Sequence, residues 1–136
     1  MRLMRSLRLL PWLALALTGC GTAGADLMVV DRSGSIAGAT LAMRVIDDGQ
    51  VVCNGSKHPL ASQALIDARE VVRQLGEPGT KGLVLRPGTP SILRFSIRTK
   101  DGVVRFSDTS PGQPAVFYKA AQLIRTIAKE DCGLAR

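Results

Sequence analysis

Leu93-Arg94-Phe95-Ser96-Ile97-Arg98-Thr99-Lys100-Asp101-Gly102-Val103-Val104-Arg105-Phe106-Ser107-Asp108 carries the clearest local pattern in the chain. Apolar and polar residues alternate on both sides of Asp101-Gly102, and a period of two marks a strand with one buried face. Asp-Gly favours the two-residue type I′ turn, whose central positions take positive φ. The stretch therefore reads as a hairpin of strands 92–99 and 103–108, with Ile97 opposite Phe106 and Arg98 opposite Arg105. Leu93, Phe95, Ile97, Val104 and Phe106 share the core face. Arg94, Ser96, Arg98, Arg105 and Ser107 share the other.

Toward the N-terminus, residues 27–30 read as a strand that runs into a glycine-rich loop, 31–39. Residues 40–46 form a second strand, Asp47-Asp48-Gly49-Gln50 a turn, 51–53 a third strand and 54–59 a loop. Leu65, Ala68, Val72 and Leu75 recur at helical spacing, which predicts a helix over 63–75 with Ser62 as its cap. Gly76-Glu77-Pro78-Gly79 ends it. Residues 80–90 read as a loop with one apolar piece, Leu83-Val84-Leu85. Val116, Ala120, Leu123, Ile124 and Ile127 predict a closing helix over 115–129. The order β-β-β-α-β-β-α gives the fold class α+β: one domain, an antiparallel sheet with two helices packed on one face.

The N-terminal segment sets a basic start (Arg2, Arg5, Arg8) before an apolar run over 9–17, the order of a secretory signal peptide. The run is about half the ~20 residues a spanning helix needs, and Pro11 interrupts it. Its end, Leu17-Thr18-Gly19-Cys20, resembles the lipobox of bacterial lipoprotein signal peptides. The resemblance implies cleavage before Cys20 and a diacylglycerol on its sulfur. The expected organisation is a signal peptide over 1–19, a lipidated cysteine and short tether over 20–26, and the α+β domain over 27–136. The expected location is a bacterial membrane, facing away from the cytoplasm.

The formal charge of the 136-residue chain is +7 and includes the three signal arginines, so the mature part carries 7 − 3 = +4. That mild excess and the scarcity of aromatic residues argue against nucleic acid as a partner. Cys53 and Cys132 form the one intramolecular pair left in an oxidising compartment, 132 − 53 = 79 residues apart. Two free thiols or a metal pair are the alternatives, and no flanking His or Cys stands at zinc-ligand spacing.

No catalytic residue, metal ligand or cofactor motif is assigned. His58 is the one histidine, no Gly-x-Ser-x-Gly elbow is present, and a Cys53–His58 dyad competes with the disulfide. Two surfaces stand out instead. Arg94, Arg98 and Arg105 form a basic sheet face, which is either ordinarily solvated or meets anionic lipid or an acidic partner. The loop 31–39 sets Ile36 between Gly34 and Gly38, either as a recognition element or as a wide turn with Ile36 folded onto the core.

Ser33-Gly34-Ser35-Ile36-Ala37-Gly38 after the first strand resembles the Ser-Gly-Gly-(aromatic or aliphatic)-Ala-Gly segment of emfourin-like proteins, small inhibitors of thermolysin-type metalloproteases. The order of elements that follows is also similar. The resemblance implies a compact α+β domain that inserts loops into a protease cleft, and it carries over to Ser33, Gly34, Ile36, Ala37 and Gly38. Ser35 departs from the family's second glycine, and neither the lipobox nor the cysteine pair belongs to that pattern. The leading expectation is a non-enzymatic, membrane-anchored binding lipoprotein that inhibits an extracytoplasmic metalloprotease. The alternative is an envelope lipoprotein, structural or binding, that engages anionic lipid or an acidic partner through its arginine face.

Overall fold

Burial alternates with period two along β1 (Asp26–Gly34), β2 (Leu41–Ile46), β3 (Gln50–Cys53), β5 (Leu93–Thr99) and β6 (Gly102–Ser107). The structure, a computed structural model, describes residues 24–135; Cys20 and the signal-peptide reading lie outside the described residues. With β4 (Ser56–Pro59), these strands make a six-stranded sheet in the order β4-β3-β2-β1-β5-β6. All neighbours pair antiparallel. Helices α1 (Ser62–Gln74), α2 (Gly76–Thr80) and α3 (Ala115–Thr126) follow in the order the α+β reading requires, and the π-helical turn Ile127–Asp131 continues α3.

One core lies between sheet and helices. Met28, Val30, Met43, Val51, Ile97 and Val104 of the sheet meet Ala68, Val72, Leu75, Ala120 and Ile124 of the helical layer. Full burial of such side chains contributes roughly 1.5–3 kcal/mol each for the larger aliphatics. The chain's three phenylalanines tie the β5–β6 half to α3. Phe95 and Phe106 stack across the strands with ring centroids 5.1 Å apart, and Phe117 stacks on Phe106 at 4.4 Å. Cys53 and Cys132 form a disulfide that joins β3 to the end of the helical layer.

Several expectations change in detail. The β5–β6 hairpin turns through Lys100-Asp101, so Ile97 faces Val104 and Arg98 faces Val103, while Arg105 faces Ser96. Each partner shifts by two residues, which leaves every side chain on its expected face. The type I′ geometry appears instead at Asn54-Gly55, with φ of 49° and 84°, between Cys53 and its partner Ser56. Part of the expected loop 54–59 is therefore β4. It is an edge strand of four residues, too short and polar to show alternation.

The glycine-rich segment is also partly sheet. Asp31, Arg32, Ser33 and Gly34 continue β1 and pair with Ser96, Phe95, Arg94 and Leu93. At its other end the sheet begins at Asp26, and the Ala25 carbonyl already accepts the Asp47 N–H, so the tether is shorter than expected. Ser62 does not cap α1; the chain enters through Ala61, whose N–H donates to Asp131 Oδ1. Gly76-Glu77-Pro78-Gly79 ends α1 but itself forms α2. Val84 makes a parallel bridge to Arg105, so residues 83–85 partly cover the β6 edge.

Candidate functional site

The antiparallel order gathers the end of β1, the starts of β2 and β5 and the end of β6 at one end of the sheet. The loops 35–40, 86–92 and 108–114 meet there, and hydrogen bonds brace them. Arg32, only 4% exposed, points inward from β1. Its Nε donates to the Ala39 carbonyl at 2.8 Å and its Nη2 to the Gly38 carbonyl at 3.1 Å, which folds the loop 35–40 back over its own strand. Ser35 N–H donates to the Ile92 carbonyl at 3.1 Å and joins this loop to the next. Ile92 N–H in turn donates to the Asp108 carboxylate, and Thr109 Oγ1 donates to the Pro90 carbonyl at 2.6 Å. Gln113 Nε2 reaches the carbonyls of Ser107, Asp108 and Ser110.

Ile36 stands half-buried outside the core cluster, and Ile92 beside this loop is 41% exposed. Ser33, Gly34, Ile36, Ala37 and Gly38 are thus not one loop. Ser33 and Gly34 belong to the sheet, and a Cβ on Gly34 would stand 2.2 Å from the Ile92 carbonyl oxygen. The close approach that glycine permits at Gly34 is used by the chain itself, whereas Ile36, Ala37 and Gly38 lie on the tip. Sequence reasoning missed Ile92, which is an apolar residue in a strand-like run until Asp108 fixes its backbone at the loop end.

The second surface is the sheet face opposite the helices, where Arg94, Arg98 and Arg105 are all exposed. They lie on that face together, but Arg98 and Arg105 are diagonal rather than directly opposed as expected, which weakens the repulsion between them.

His58 sits half-buried on β4, opposite Val51, and the Cys53 sulfur is bonded to Cys132, which leaves no thiolate there. Among the described residues no group of His, Cys, Asp and Glu is placed to hold a metal ion. Displaced pKa values belong to the helical surface: hydrogen bonds from Arg73 and then Gln74 hold the Glu70 carboxyl down from 4.5 to about 2. Glu77 is lowered by the hydrogen bond from Lys81.

The fold and these surfaces define an α+β domain with a braced loop end and an open sheet face. Compared with protein families, curated proteins and solved structures, the chain finds no match in any of the three.

Proposed function

We propose that this chain is a lipid-anchored, non-enzymatic binding protein on the outer side of a bacterial membrane, and that its braced loop end inhibits a thermolysin-type metalloprotease. The observation that supports this reading is the bracing of residues 35–40 by Arg32 and Ile92 beside two partly exposed isoleucines. A loop that inserts into a protease cleft binds tightly only when its conformation is set beforehand. Each rotamer-rich side chain ordered on binding costs about 0.5–1.5 kcal/mol, and a pre-folded loop avoids much of that cost. Ile36 and Ile92 supply the apolar contact. Lipidation rests on the lipobox resemblance, and protease inhibition on the Ser33–Gly38 resemblance.

The test is a titration of a thermolysin-type metalloprotease with the purified chain. Stoichiometric loss of protease activity, with the chain uncleaved, is the expected result. Ile36→Asp should weaken inhibition about tenfold or more with little change in melting temperature, as for an interface anchor. Full protease activity at saturating chain, across several such enzymes, would sink the inhibitor reading.

A further inference from the structure

The sheet face turned away from the helices carries one row that crosses all six strands. Following the register from edge to edge, Val103 of β6 stands opposite Arg98 of β5, then Val29 of β1, Arg44 of β2, Val52 of β3 and Lys57 of β4. Cations and valines alternate without a break; the cations are exposed and the valines half-buried. Strands lie about 4.8 Å apart, so successive cations are about 10 Å apart, near the Debye length at 0.1 M salt. The spacing weakens their mutual repulsion while all three stay on the same face of the sheet.

Arg94 and Arg105 add two more cations on this face, against the carboxylates of Asp26 and Asp31, for a net 5 − 2 = +3. Asp26 is engaged by Arg44 at 3.6 Å. Among the described residues, Lys57, Arg94, Arg98 and Arg105 make no ion pair, and neither do Lys119, Arg125 and Lys129 on the helices, so what marks the sheet face is the regular placing of its cations rather than their lack of partners.

We infer that this open sheet face docks on an anionic phospholipid bilayer. The match is one of charge and its spacing. Cations spread at a regular interval over the width of a sheet suit a surface that carries many phosphates, whereas the binding of a single acidic side chain would need them to converge on one point. Val29, Val52 and Val103 give the same surface an apolar component, and Val84, 63% exposed, borders it beside Arg105. The anchor is placed to help: Val29 follows Cys20 by nine residues (29 − 20), a span of at most about 30 Å. The anchor rests on the lipoprotein reading, and the charge match does not.

The experiment uses the full chain, purified from the membranes of a bacterial host. It is bound to vesicles of equal parts phosphatidylglycerol and phosphatidylcholine, or of phosphatidylcholine alone, and treated with an amine-reactive label. Lys57 should label about fivefold more slowly on the anionic vesicles, the effect of a typical surface cation, while Lys119 and Lys129 on the helical side should not change. The protection should vanish at about 1 M salt, where the Debye length falls to about 3 Å, and in the pair Arg44→Glu plus Arg98→Glu. If that pair melts early, Arg94→Gln plus Arg98→Gln should still weaken the protection.

Equal labelling of Lys57 on both vesicles overturns the proposal. So does protection by polyglutamate but not by vesicles, which would give the face to an acidic protein. The mass of the N-terminal peptide reports lipidation separately. Lys57 protection without lipid would remove the anchor and keep the docking face.

Discussion

Gly102 lies against Gly79 so closely that a Cβ on Gly102 would stand 2.1 Å from the Gly79 carbonyl oxygen. The first residue of β6 therefore rests directly on the α2 backbone, at a φ of 143°. Gly55 makes a useful contrast, since it also has positive φ but nothing within 4 Å of the Cβ position.

Gly102→Ala should therefore cost more than Gly55→Ala. Backbone strain alone costs about 1–3 kcal/mol at such positions, and at Gly102 a clash with rigid backbone adds to it. Denaturant midpoints of the two variants check this. Equal losses would mean that α2 yields freely and that the contact constrains nothing.

The same glycine shows what was legible in the chain. Asp101-Gly102 looks like a type I′ turn, but its glycine is required by a residue 102 − 79 = 23 positions away, which no local pattern reveals. Asn54-Gly55 carries the genuine type I′ signal, but the strand after it, Ser56-Lys57-His58-Pro59, is polar and pairs on one side only. Which faces are buried was readable because parity survives a two-residue shift in register. The row through Arg98, Arg44 and Lys57 was not, because it depends on long-range register. Arg32 hid the end of β1: an inward arginine does not resemble core until the Gly38 and Ala39 carbonyls that it binds are in place.

The disulfide should matter most to the β3–β4 side of the sheet. Cys53 ends β3, which β2 alone links to the rest of the sheet, and Cys132 follows the last helical turn. Closing a loop of 79 residues is worth about 4.5 kcal/mol on the chain-entropy model. Cys53→Ser plus Cys132→Ser should lower stability by up to about that amount in urea. Amide exchange should rise first in β3 and β4, before β1 and β5. A uniform rise across the sheet would show instead that the bridge acts on the unfolded chain alone.

Bracing and recognition at the loop end are separable by two substitutions. Arg32 is buried and binds two loop carbonyls through Nε and Nη2. Hydrogen bonds from charged groups contribute about 1.5–3 kcal/mol, and removing the donor leaves its acceptors unsatisfied. Arg32→Met should therefore lower stability by about 2 kcal/mol or more and speed amide exchange at Ala39, whose N–H donates to the Ile36 carbonyl within the loop. Arg32→Lys keeps a charge but loses the planar fork, so it should fall between Met and the parent. Ile36→Asp should change neither stability nor exchange and should weaken protease inhibition alone. If Ile36→Asp unfolds the domain as readily as Arg32→Met, the isoleucine is packing rather than contact surface, and the loop end loses its claim as the recognition site.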